Sequence, residues 1–300
     1  MASVGTGPNG SVAVGGPKGV AIINGVLCPV EEARVPLTID GLLRGDGCFE
    51  TLRVYSGKPF CLAEHLERLG ASCRALGLVR QPAAALEALS AKAIEASGLK
   101  EAVLRVLVFR GEGEEAEPLT VVMVVPLPPE IPATPEDMES RKPISVRLIA
   151  APWHAGGIPW ALSGAKTTSY APNMAASRQA RSEGADEAVL VSRDGFLLEA
   201  PTANLWWVRE GKLFTPSLDL GILAGITRSK VAQLAAEAGI PVEEGRFTAE
   251  HLLTAEEAFL SSSIREVTSI VSVDGRLLTV AAPGPLTRRV TEGFRRLAGA

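Results

Sequence analysis

The chain has 300 residues, 46% of them hydrophobic and 21% charged, enough to bury one large core or two medium ones. A formal net charge of −4, with acids and bases interspersed, points away from nucleic acid or an anionic membrane as principal partner. No apolar run is long enough to span a bilayer, and four cysteines and three histidines without zinc-ligand spacing give no expectation of a metal.

Residues 1–18 are rich in glycine and small side chains and read as a flexible N-terminus. They lack the basic start and apolar core of a secretory signal, so the expected setting is the reducing cytoplasm. VAIING then reads as a short strand closing on an Asn24-Gly25 hairpin. Phe49 to Tyr55 alternates as a strand does, and Ser56-Gly57 turns it. Leu62, Leu66, Leu69, Cys73 and Leu76 fall on one helical face, and a second helix covers about Ala83 to Ala96. AVLRVLVFRG and LTVVMVVPL read as strands around the acidic loop Glu112 to Glu117. The proline-rich PLPPEIPATPEDMESRKP reads as an interdomain region, followed by the strand ISVRLIA.

Lys166 follows a small-residue turn and directly precedes an amphipathic helix. A helix N-terminus disfavours an ammonium and draws its pKa downward, and a lysine more easily made neutral suits Schiff-base chemistry. After that helix come an apolar strand, Glu187 to Val191, a turn at Asp194-Gly195 and a second short strand ending on Glu199. NLWWV, KLFTP, a helix opened by Gly221 to Thr227, and the strand–turn–strand AFLSSSIREVTSIVSVDG complete the core. The arginine-rich end reads as the exposed face of a terminal helix.

Three places suit an anion: the helix start at Gly225-Ile226-Thr227, the hydroxyl-rich Ser261-Ser262-Ser263, and Arg68 with its bidentate fork. Glu199, at the end of an apolar strand, suits a protonated ring nitrogen. Lysine, ring-nitrogen carboxylate and phosphate cradle together describe a pyridoxal phosphate site.

Seven motifs stand in one order: ING, GDGCFETLRVYSGKPFCLAEHLERL, AKTTSY, GADEAVLVSRDGFLLEAPTANLWWV, TPSLDLGILAGITR, EEAFLSSSIREV and PGPLT. In this order they resemble the class IV aminotransferases, the fold-type IV pyridoxal-phosphate enzymes. These include branched-chain and D-amino acid aminotransferases, amine transaminases and aminodeoxychorismate lyases. The resemblance implies a two-domain α/β fold of the α+β type. Residues 19–150 would form a small domain, 151–165 an interdomain loop, and 166–300 a larger domain with a mixed, barrel-like sheet. It also implies a homodimer with its sites near the interface. Lys166 would form the aldimine and shuttle the proton, and Glu199 would pair with the pyridine nitrogen. Arg68, the backbone of Ile226 and Thr227, and the hydroxyl of Ser263 would bind the phosphate, with Ser262 also among the cofactor-binding residues. Tyr170 would lie near the cofactor, and Asn204 would brace the strand beside it.

The implied reaction is transamination between an amino acid, D-amino acids included, or an amine and a 2-oxo acid. The alternative is a lyase releasing pyruvate and 4-aminobenzoate from aminodeoxychorismate, and a more distant one is a non-catalytic vitamer-binding protein. RGEGEEAEP puts acid where D-amino acid enzymes carry a basic cluster. Arg44 is therefore the first candidate for the substrate carboxylate, directly or across a dimer, with Arg105 and Arg110 as alternatives.

Overall fold

The computed structural model describes residues 19–299 apart from 114–115, 133–140, 155 and 159; the expected flexible N-terminus, 1–18, lies outside them. The first hairpin is β1 (Val20–Ile23) and β2 (Val26–Pro29). Its turn holds Asn24 at φ 44° and Gly25 at φ 88°, the paired left-handed geometry that a two-residue hairpin needs.

A short helix, α1 (Asp40–Leu43), leads into β3 (Gly47–Tyr55) and the two-residue β4 (Lys58–Pro59). Two 15-residue helices follow, α2 (Leu62–Leu76) and α3 (Ala83–Ser97), and then β5 (Ala102–Phe109) and β6 (Leu119–Pro126). These strands form one antiparallel sheet in the order β2-β1-β6-β5-β3-β4. Alternation along β3 sends Cys48, Leu52 and Val54 to the face packed by Leu66, Leu69 and Cys73 of α2 and by Leu86, Ala93 and Ile94 of α3. Phe49, Thr51 and Arg53 take the other face of the strand.

The second sheet is mixed. It is built from β7 (Ile144–Ala150), β8 (Glu187–Val191), β9 (Asn204–Arg209), β10 (Lys212–Pro216), β11 (Val242–Gly245), β12 (Glu257–Ser262), β13 (Glu266–Val273) and β14 (Arg276–Leu277). Its order is β11-β10-β9-β12-β13-β7-β8, with β14 pairing β13. NLWWV is buried on both sides: Leu205 and Trp207 enter one core, Trp206 and Val208 the other. Around the curled sheet lie α4 (Ala171–Ser182), α5 (Ile226–Glu237), the short α6 (Ala249–Leu253) and α7 (Pro285–Ala298). α4 contributes Ala176 and Ala180 to one cluster, and α5 and α7 contribute Val231, Ala235 and Val290 to another.

By sheet membership the chain changes lobes between β6 and β7, since β7 pairs in parallel with β8 and β13. A small domain ending at residue 150 would include β7, yet the strand lies beyond the proline-rich region expected to join the domains and pairs within the second sheet. An apolar strand carries no mark of its partner, because pairing is settled by chain segments far away in sequence.

The lobes are tied by buried charge. Arg53 of β3 donates to Glu266 of β13 at 2.9 Å, and the Tyr55 hydroxyl donates to the same oxygen at 2.7 Å. Both members of the ion pair are about 2% exposed.

Candidate active site

Lys166 is not at the start of a helix. It lies five residues before α4, whose N-cap is Tyr170. Its segment is stitched to the start of β3: Phe49 N–H donates to the Lys166 carbonyl at 3.1 Å, and Thr168 N–H donates to the Gly47 carbonyl at 2.8 Å. The Lys166 N–H donates to Ser72 Oγ of α2 at 3.0 Å. Lys166 therefore stands clear of the helix N-terminus, and its backbone is fixed by a lateral dock on the small sheet.

The Lys166 side chain donates from Nζ to the Tyr170 hydroxyl at 3.0 Å. The same nitrogen stands 4.5 Å from the Phe49 ring centroid and 5.2 Å from that of Tyr170. Those two rings meet edge to face at 5.4 Å. The lysine head is therefore framed by aromatic faces, contacts that attract a cation and tolerate a neutral amine.

Glu199 belongs to no regular strand, contrary to the sequence reading. Around it are isolated bridges, Val191 to Leu197, Phe196 to Thr248 and Ala200 to Ala203. Its two oxygens are nonetheless held, one by the Leu223 N–H at 3.1 Å and the other by the Asn204 amide at 3.0 Å. Asn204 also donates to the Leu223 carbonyl at 2.9 Å, closing a small ring of hydrogen bonds. By surface area Glu199 is only half-buried, but crowding round the carboxylate itself governs its charge. Burial pushes its carboxyl up to about 7, against the Leu223 N–H and the positive fields of Lys166, Arg68 and Arg228.

The anion-binding candidates converge. α5 begins at Ile226, after Gly225 as N-cap, so the first N–H groups of a 12-residue helix face out of its end. Arg68 reaches that end: Nη1 donates to the Ala224 carbonyl at 2.8 Å. Ser261 is a buried strand residue accepting the Trp206 indole N–H at 3.0 Å, so the serine run is not all turn. Ser262 accepts the Arg265 N–H at 3.2 Å, and Ser263 Oγ lies 3.5 Å from His65 Nε2.

The three arginines proposed for the substrate part company. Arg44 is 74% exposed and paired with Asp40 at 2.8 Å, one turn back on α1. Arg110 is tied to Asp46 at 2.6 Å and to the Leu76 carbonyl at 2.6 Å. Arg105 is exposed, its side chain makes no hydrogen bond or ion pair with a described residue, and it stands opposite Thr51 on the sheet face that carries Phe49.

Glu50, His65, Ser72 and the Leu223 N–H escaped the sequence reading. Glu50 had a signal: it alternates with Cys48, Leu52 and Val54, which places a carboxylate on an otherwise apolar face. His65 and Arg68, three apart on α2, are spaced to meet it.

The donor set fits pyridoxal phosphate. Glu199 is a carboxylate whose direct partners are neutral N–H groups, and a protonated ring nitrogen supplies the cation that its raised pKa calls for. The first N–H groups of α5, which have no acceptor within the helix, and the nearby Arg68 suit a phosphate.

The sequence matches the family described as amino-transferase class IV over residues 47–273. A putative branched-chain-amino-acid aminotransferase of Methanocaldococcus jannaschii is 31% identical over 282 residues, covering 91% of this chain and 94% of that protein. A D-alanine aminotransferase of Bacillus licheniformis is 30% identical over 277 residues, covering 90% and 93%. The solved fold IV transaminase CpuTA1 from Curtobacterium pusillum matches with a TM-score of 0.82 at 30% identity, covering 94% of this chain and 100% of that one.

Proposed function

The chain belongs to the class IV aminotransferases, a pyridoxal-phosphate-dependent family, and we propose that its transamination between an amino acid and a 2-oxo acid runs through Lys166. The observation that carries this is the Lys166 amine, held by the Tyr170 hydroxyl and framed by Phe49, in the field of a carboxylate with a raised pKa.

Pyridoxal phosphate, when bound, supplies the electron-withdrawing ring that makes the donor's Cα–H acidic. Lys166 Nζ would anchor it and then carry the proton from the donor's Cα. Tyr170 keeps that nitrogen from swinging away between the two tasks. Glu199 would hold the ring nitrogen's proton, oriented by Asn204 and Leu223. Arg68, the backbone of Ile226 and Thr227, and the hydroxyls of Ser262 and Ser263 would hold the phosphate. Arg105 would take the donor's carboxylate, because it stands on the Phe49 face with no side-chain partner among the described residues, while Arg44 and Arg110 are engaged.

The relatives described are transaminases by name, which gives the lyase no support. We further propose a homodimer, because Leu37, Leu42 and Leu43, beside the segment that docks Lys166, are 75%, 51% and 66% exposed. The four free cysteines fit the cytoplasm, and no helix among the described residues is long and apolar enough to cross a membrane.

A half-reaction tests the reading. Holoenzyme mixed with D-alanine or with L-leucine, without an acceptor, should release one equivalent of 2-oxo acid with at least one of them. Lys166→Ala should release none while staying folded. Turnover by Lys166→Ala at the parent rate would overturn the assignment.

A further inference from the structure

Glu50 is fully buried on the helix-facing side of β3, in a strand whose neighbouring inward residues are Cys48, Leu52 and Val54. A lone carboxylate there would be costly. It is not alone: Arg68 donates to both its oxygens, from Nε at 2.7 Å and from Nη2 at 2.7 Å. His65 Nδ1 lies 2.6 Å from the second oxygen. Burial opposes the charge, but hydrogen bonds from Arg68 and His65 outweigh it and hold the carboxyl at about 2.

An ionised carboxylate only accepts, so Nδ1 must be the donor, and the ring's other nitrogen is left facing Ser263. Fixing the Arg68 fork on Glu50 likewise leaves Nη1 directed to the Ala224 carbonyl, two residues before Ile226. One buried carboxylate therefore sets the orientation of two side chains that come from different parts of the chain.

We propose that Glu50 is the positioning residue of the phosphate cradle, orienting Arg68 directly and Ser263 through His65. The proposal rests on the reading that Arg68 and Ser263 hold the phosphate. Glu50 touches neither substrate nor cofactor; it sets the geometry of groups that do.

The test uses the full chain stripped of cofactor and compares its affinity for pyridoxal phosphate with that for pyridoxal, which lacks the phosphate. Glu50→Gln should weaken pyridoxal phosphate by about tenfold or more, the size seen when the partner orienting a first ligand is removed, and leave pyridoxal unchanged. Equal losses for both would make Glu50 a general structural residue and overturn the proposal, as would no loss for either. Should Glu50→Gln not fold, His65→Gln, which breaks only the Ser263 branch, should show a smaller loss confined to pyridoxal phosphate; none would overturn the relay. Arg68→Gln separates the two levels. If it abolishes the preference for the phosphorylated form while Glu50→Gln keeps it, the relay falls and the phosphate reading stands. If Arg68→Gln keeps the preference undiminished too, the assignment of Arg68 to the phosphate falls, and the proposal with it.

Discussion

The Asn204 side-chain amide donates to Glu199 at 3.0 Å, and the space it occupies is the space a Cβ on Gly225 would need. The brace of one end of the site and the helix start at the other are thus in direct contact. Gly225→Ala should displace Asn204, release Glu199 and weaken cofactor binding, although Gly225 has an ordinary φ of −66°. Cofactor titration of the variant checks this; an unchanged affinity would show that Asn204 can step aside without cost.

Arg105→Ala should raise KM for an amino-acid donor on the order of ten- to a hundredfold, the loss of one charge-assisted contact. Arg44→Ala should leave KM unchanged. Arg110→Ala should lower stability, since it cuts the bonds to Asp46 and Leu76. Steady-state kinetics on all three, with a thermal melt for each, settles which guanidinium meets the carboxylate.

Glu199 makes the cofactor-free protein sensitive to pH. Its carboxyl titrates near 7 when folded against about 4.5 unfolded, so the folded state binds the extra proton between those values. Its contribution to stability is therefore fully present below about pH 4.5 and is lost as pH rises through 7. The loss is on the order of 1–3 kcal/mol. Glu199→Gln should flatten that slope in urea melts of the stripped protein. An identical slope would mean that another group carries it.

Glu266 combines a buried ion pair to Arg53 with a left-handed backbone at φ 53°. Glu266→Ala removes the shorter of Arg53's two carboxylate contacts, leaving Glu101 at 3.5 Å, takes the acceptor from the Tyr55 hydroxyl and keeps the strained backbone, so it should cost about 1–3 kcal/mol. Glu266→Gly loses the same pair but relieves the backbone, and should be the more stable of the two by about 1 kcal/mol. Denaturant midpoints of the two variants decide; if Ala proves the more stable, the backbone strain is not there.

Much of this protein was legible in its residues. Local periodicity determined α2 to its ends, Leu62 and Leu76, together with the hairpin at Asn24-Gly25 and the strand Glu187 to Val191, because side-chain spacing is a property of neighbours in sequence. Motif order singled out Lys166, Glu199 and Arg68 for the same reason: each sits in a short run whose residue types are informative together. Tertiary structure decided what depends on distant partners. It placed Lys166 on the edge of β3 instead of at a helix start, paired β7 within the second sheet, and gave the Arg105 side chain no partner among the described residues while engaging Arg44 and Arg110. It also joined His65 to Ser263 across 198 residues. Strand pairing and the meeting of His65 with Ser263 are set by packing of remote segments, and no spacing along the chain encodes that distance.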